Sequence, residues 1–201
     1  MWTLRLPSRV VLVKTRQMDN HYLAEMDQGT AILGDVIKST ELEPVLASLG
    51  LNSRDLAAGL PAQVISTGLP YLVLPVRPEA LARAAINGSG FEVLLAMLGA
   101  KFVLLLYILG RELRTWDNLG RVEDVATGSA AGPAAAYFYY HGLADPELPI
   151  ALAQGRFADR PSNMLITRTL SNRLLVSGAV RPVSRGVLDL DAMQAGCRSA
   201  N

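Results

Sequence analysis

The residues best suited to chemistry sit close together in one stretch, "VEDVATGSAAGPAAAYFYYHG", residues 122–142. An acidic pair, Glu123 and Asp124, stands before a turn of Thr127, Gly128 and Ser129. A nearly charge-free run from Ala130 to Tyr140 follows and reads as a buried helix. A helix start presents backbone N–H groups without partners and a partial positive charge. A Gly-Ser turn there lets the backbone approach a ligand, so Thr127, Gly128, Ser129 and Ala130 form a candidate cradle for a carboxylate or phosphate. Asp124 lies just upstream, where it could orient an amine or hydroxyl or handle a proton. The competing reading is purely structural: Thr127 or Ser129 caps the helix, and Asp124 favours its dipole. Pro133 leaves the start of the helix open. With Ser129 as N-cap, Pro133 is the fourth helical residue and one hydrogen bond is lost. With Gly132 as N-cap, Pro133 takes its favoured first position. Either choice leaves the amides of Gly128–Ala131 available.

The elements that must position this turn follow from the rest of the chain. A water-facing helix carries a charged stripe, and this one has none before His141, which reads as a charge at the helix C-terminus. Small side chains at Ala131–Ala136 let strands come close, so the helix is expected inside a strongly curved sheet. Strands are expected at Val10–Lys14, Tyr22–Met26, Ala62–Ser66, Tyr71–Val76 and Glu112–Trp116. Helices are expected at Glu41–Leu49, capped by Thr40, and at Pro78–Ala85. The tail "NMLITRTL", "RLLVSG", "AVRPV" and "GVLDL" reads as short strands joined by turns. The class is α+β, mostly antiparallel.

Composition narrows the functions. The chain has 201 residues, a formal net charge of +1 and 50% hydrophobic residues, enough for a sizeable core. A charge near zero gives no electrostatic reason to expect nucleic acid or an anionic membrane as partner. The single cysteine, Cys197, excludes an internal disulfide and a cysteine-based metal site, and fits a reducing cytoplasm. The first residues lack the long apolar core of a secretory signal. Residues 91–110, "FEVLLAMLGAKFVLLLYILG", have the length of a membrane span, but Lys101 at the centre and Gly99 divide them. They read as a buried helix, about Gly90–Leu98, followed by a buried strand, about Phe102–Leu109.

Four ordered segments carry a family resemblance. "EDVATGSAAGPAAAY" resembles the signature of the phenazine-biosynthesis PhzF-like isomerases, relatives of the diaminopimelate epimerases. "GLPAQVISTGLPYLVLPV" (Gly59–Val76), "QGRFADRPSNMLI" (Gln154–Ile166) and "VSGAVRPVSRGVL" (Val176–Leu188) resemble further family segments. With "AEMDQ" (Ala24–Gln28), they span most of the chain from about residue 24 to 190. The resemblance implies two similar lobes, each a barrel-like sheet around a central helix, with the active site between them. It implies proton transfer on a small carboxylic-acid metabolite, without metal or cofactor; the best-known member isomerises a dihydro-hydroxyanthranilate. Asp124 then falls on the signature aspartate, and Gly128 and Ser129 on its Gly-Ser pair. Family members also carry an "NLSET"-type acid/base glutamate and a "GHP" turn, neither of which occurs here. Residues 1–30 are accordingly expected to be the end of a first lobe and residues 31–201 the second, with the last strands packing back on the first. The resemblance implies impaired catalysis, or a non-catalytic or truncated relative serving as a binding or assembly module. Open strand edges and apolar surface lead to the expectation of a homo-oligomer.

Overall fold

The structure is a computed structural model, and it describes residues 1–6, 10–184 and 186. Among the described residues eleven strands form one sheet: β1 (Trp2–Arg5), β2 (Val10–Gln17), β3 (Tyr22–Thr30), β4 (Ile32–Val36), β5 (Gln63–Ser66), β6 (Pro70–Pro75), β7 (Phe102–Tyr107), β8 (Glu112–Thr115), β9 (Ile150–Gln154), β10 (Ser162–Arg168) and β11 (Arg173–Val180). Their spatial order is β1-β2-β3-β11-β10-β9-β8-β7-β6-β5-β4. Four α-helices of the described residues accompany them: α1 (Ser39–Ser48), α2 (Pro78–Arg83), α3 (Phe91–Met97) and α4 (Gly128–Tyr140). The class is α+β, as the sequence implies.

Two parallel pairs interrupt an otherwise antiparallel ladder, β6 with β7 and β8 with β9. Parallel neighbours need a crossover. Helices α2 and α3 make the first, and α4 makes the second. The crossovers lie on opposite faces. Leu72, Leu74, Val103 and Leu105 pack with α1–α3 in one core. Their alternates Tyr71, Val73, Leu104 and Leu106 pack with α4 in another. The continuous apolar runs of β6 and β7 are therefore buried on both faces, as such runs in parallel strands are.

Helix α4 is the axis of the fold. From Ala130 to Phe138 it is buried throughout. It touches β5, β6 and β7 on one side and β10 and β11 on the other. The chain passes from β3 to β4 through Ala31 alone, yet these strands stand far apart in the sheet order. The nine strands from β3 to β4 thus curl round α4 and bring their two ends together. Alanine is what this enclosure requires, because a larger side chain would push a strand away.

Several expectations shift. The helix caps at Thr127, so neither Ser129 nor Gly132 is the N-cap and Pro133 lies inside the helix. Helix α1 begins at Ser39 after Lys38 rather than after Thr40, and Pro44 lies inside it. Residues 91–110 do divide into α3 and β7, and among the described residues no helix is long and apolar enough to cross a membrane. "AVRPV" is no separate strand: β11 runs on to Val180, and Arg181–Val183 continue without strand pairing. Of "GVLDL", residues 187–190 lie outside the described residues. Strands β1, β4 and β9 have no counterpart in the sequence reading.

Candidate active site

The acidic pair separates on folding. Glu123 turns inward to Arg114, whose guanidinium meets both its oxygens at 2.9 and 2.6 Å. Arg114 also donates to the carbonyls of Leu81 and Ala84 at 2.6 and 2.9 Å. Its guanidinium carbon lies 4.8 Å from the Trp116 ring centroid and 4.5 Å from that of Phe157. Both partners are largely buried. A buried charge must be paired and hydrogen-bonded, so Glu123 is an anchor for the loop that carries Asp124. Though adjacent in the chain and alike in charge, the two side chains go to different partners, Glu123 to Arg114 and Asp124 to Thr127.

Asp124 faces the turn. Its Oδ2 accepts from Thr127 Oγ1 at 2.6 Å and its Oδ1 from the Val125 amide at 2.8 Å. Gln154, buried at the end of β9, fixes the same turn from below. It donates to the Asp124 carbonyl at 2.7 Å and to Thr127 Oγ1 at 2.9 Å, and accepts from the Thr127 amide at 2.8 Å. Ser162 Oγ donates to the Val125 carbonyl at 2.7 Å. Gly155, at φ 85°, packs so close to that carbonyl that a Cβ would sit 2.6 Å from its oxygen. The "QG" and "RPS" residues thus form the bed of the Asp124 loop, whereas in the sequence they stand out only as a segment of the family resemblance.

The start of α4 is held from the other side by β3. Gln28 donates to the Gly128 carbonyl at 2.5 Å and accepts from Thr67 Oγ1 at 2.9 Å. A Cβ on Gly132 would collide with Gln28 Oε1 and lie 3.0 Å from Thr67 Oγ1, so only glycine fits there. The carbonyl of Thr127 accepts from the amides of Ala130 and Ala131, at 3.0 and 3.2 Å. Ala130 is fully buried. The four-amide cradle expected from Gly128 to Ala131 therefore reduces to the amides of Gly128 and Ser129, which find no acceptor among the described residues.

Asp124, Thr127 and Ser129 border a cleft of about 420 Å³ walled by Leu69, Tyr71, Phe102 and Trp116, with Arg160 at its exposed rim. Ser129 Oγ and the Tyr71 hydroxyl are hydrogen-bonded at 2.8 Å, and the Tyr71 ring stacks on Phe102 with centroids 5.2 Å apart. Burial raises the Tyr71 phenol above its ordinary value and the charge of Asp124 adds to this, against the opposing hydrogen bond with Ser129. At neutral pH Tyr71 is therefore a donor and not a base. Gly128 instead lines a second depression of about 290 Å³ on the other flank, with Ala24, Met26, Val176 and Gly178. A roomier hollow of about 710 Å³ between β4 and α3 shares none of these residues.

Neither histidine reaches the site. His141 follows α4 at its far end, with Nε2 3.0 Å from Gln63 Oε1. Burial lowers its basicity, so the expected helix-terminal charge gives way to an imidazole that favours its neutral form. Among the described residues no three His, Cys, Asp or Glu side chains gather to hold a metal ion.

No family model matches the chain. The uncharacterized isomerase YddE of Escherichia coli O157:H7 is 24% identical over 171 residues, which is 79% of this chain and 58% of YddE. The Salmonella typhimurium protein of the same name is 24% identical over 160 residues, covering 75% of this chain and 54% of its own. Among solved structures, a predicted epimerase from Pseudomonas aeruginosa superposes with a TM-score of 0.87 at 45% identity, over 93% of this chain and 66% of that one. A PhzF-family phenazine biosynthesis protein from Bacillus anthracis shares the fold, with a TM-score of 0.69 at 22% identity over 93% of this chain and 68% of its own. The chain spans under three fifths of the length of these YddE proteins. Its signature turn, its strand-wrapped alanine helix and these neighbours agree: the chain belongs to the PhzF-like family.

Proposed function

We propose that the cleft at the start of α4 is the substrate site of a PhzF-like isomerase that shifts a proton on a small carboxylic acid. The carrying observation is that two amides without acceptors among the described residues, those of Gly128 and Ser129, share one short turn with the carboxylate of Asp124. In this reading the amides and the helix dipole hold the substrate carboxylate. Asp124 takes a proton from one carbon and returns it to another. Its orientation is fixed beforehand by Thr127 and Val125, so little reorganisation is needed when charge develops. The aromatic walls exclude water, and Tyr71 supplies a hydrogen-bond donor beside Ser129. We place the reaction in the cytoplasm, which the lone cysteine suits. Residues 1–30 remain the proposed end of a first lobe and 31–201 the second; the ladder of β3 with β11 is compatible with that division.

One observation favours a second reading, a module that binds the acid without turning it over. Both Asp124 oxygens already accept a hydrogen bond, and Glu123 is tied to Arg114. The experiment incubates the chain in D2O with amino- and hydroxy-substituted cyclohexadiene carboxylates and follows deuterium incorporation by NMR. Isomerase chemistry gives exchange that falls roughly 10²-fold or more in Asp124→Asn. Gly128→Pro removes one amide where proline is tolerated, and should weaken binding about tenfold, the effect of roughly 1.4 kcal/mol. Binding without exchange supports the module; exchange unaffected by Asp124→Asn overturns the assignment of Asp124.

A further inference from the structure

The "RPS" segment supports the Asp124 loop through Ser162 and through its backbone, and the side chain of Arg160 takes no part in that support. Among the described residues the Arg160 side chain has no hydrogen bond, ion pair or ring contact. The backbone that carries it is nevertheless fixed. Asp159 holds a left-handed conformation, φ 54°, which a residue other than glycine adopts uncommonly. The Arg160 amide then donates back to the Gly155 carbonyl at 3.0 Å. Pro161 follows and disfavours a helical conformation at Arg160. The carbonyls of Arg160 and Val125 both crowd the point where a Gly155 Cβ would stand. The chain at Arg160 therefore lies against the loop that carries Asp124, and Arg160 is held at the rim of the same cleft.

The charges of that cleft explain what an arginine does there. Its lining holds three carboxylates, Asp117, Glu123 and Asp124, and among the described residues of the lining Arg160 is the one Lys or Arg. Each carboxylate is already engaged within the chain. Asp117 Oδ1 accepts from the amides of Arg121 and Val122 at 2.5 and 3.1 Å, Glu123 meets Arg114, and Asp124 meets Thr127 and Val125. With Glu123 neutralised by Arg114, the lining keeps two negative charges and one positive charge. An acid entering beside Asp124 adds another negative charge. Two carboxylates at one site repel, and one of them is driven to keep a proton. The amides at the α4 start offset this only with partial charge. A guanidinium carries a full charge and a planar fork that matches a carboxylate.

We propose, resting on the reading of this cleft as the substrate site, that Arg160 is the cationic partner of the substrate carboxylate and selects acids over their neutral analogues. The guanidinium meets the carboxylate from the rim while the α4 start meets it from within. The ionised acid is thereby held without forcing a proton onto Asp124, which stays able to accept one from the substrate.

NMR titration of the full chain with benzoate and benzamide, a ring acid and its neutral analogue, tests this apart from any turnover. Benzoate should bind more tightly than benzamide. Arg160→Met should weaken benzoate at least tenfold and leave benzamide unchanged, and Arg160→Lys should recover part of the loss. Added salt should weaken benzoate binding to the unaltered chain more than to Arg160→Met. Arg160 is exposed and has no partner among the described residues, so the urea midpoint of the variant should not move. In the D2O exchange assay Arg160→Met should raise KM and retain kcat, the mark of a grip made equally in ground and transition states. Equal loss of both ligands, or benzoate binding as tight as in the unaltered chain, overturns the role of Arg160 alone when Asp124-dependent exchange persists. An unaltered chain that does not bind benzoate overturns it together with the reading of the cleft.

Discussion

Strands β7 and β1 both carry large apolar residues, and these meet opposite fates. In β7, "FVLLLY", the residues from Val103 to Leu106 are buried, because α4 covers one face and α1–α3 the other. In β1, "WTLR", every residue is exposed. For the large apolar residues the difference lies in what is laid over the strand. The sheet is one continuous ladder with two environments: a closed half wound on a helix, and an arm that no helix of the described residues covers. Apolar strand composition therefore predicts a partner, and the partner can be elsewhere in the chain or outside it.

The comparison can be tested by making the same kind of change in each half. Phe138→Ala, in the closed half, should cost about 3–5 kcal/mol in urea unfolding, as cavity-forming core substitutions do, whereas Leu12→Ala on the arm should stay within about 0.5 kcal/mol. Equal costs would mean that the arm is as integral as the barrel. Gly132→Ala should cost about 1–3 kcal/mol, because Gln28 is held by both Gly128 and Thr67 and cannot yield to the new methyl. A neutral result would show that β3 is not clamped against the helix.

The smallest effect concerns pH. Burial holds the His141 imidazole below its ordinary value of about 6.5, so near that pH the unfolded chain binds more protons than the folded one. Stability then rises with pH through the window just below about 6.5 and is lost as pH falls. His141→Gln should flatten the slope between roughly pH 5 and 7; an unchanged slope would place the titration elsewhere.

Much of the closed half was legible in the sequence. Charge-free residues at Ala130–Phe138 announced an enclosed helix, and β6 and β7 stood out by their branched and leucine-rich runs. Strand β9, "IALAQ", was not legible, since its alternation rests on alanine and its burial comes from α4. Edge strand β4, exposed along its length, carries no core pattern at all. Around the start of α4 the sequence singles out Asp124, Thr127 and Ser129 as candidates, but not Gln28, Thr67, Tyr71, Gln154 and Arg114, which hold that region in the fold. Each of these meets the turn from another strand or loop, and only the ladder register brings them there. The same applies to Glu123, whose partner Arg114 lies across a β-bridge between Trp116 and Glu123.

The clasp between β3 and β11, where Arg173 holds Asp27 at 2.8 Å, joins residues 146 positions apart. During synthesis from the N-terminus, β3 must wait for that whole length to emerge, roughly 7–30 s at ordinary ribosome speeds of about 5–20 residues per second. Throughout that interval β3 lacks the strand that pairs with it along Tyr22–Thr30. The topology makes closure of the barrel around α4 a late event of synthesis, because its β3–β11 seam is sewn last.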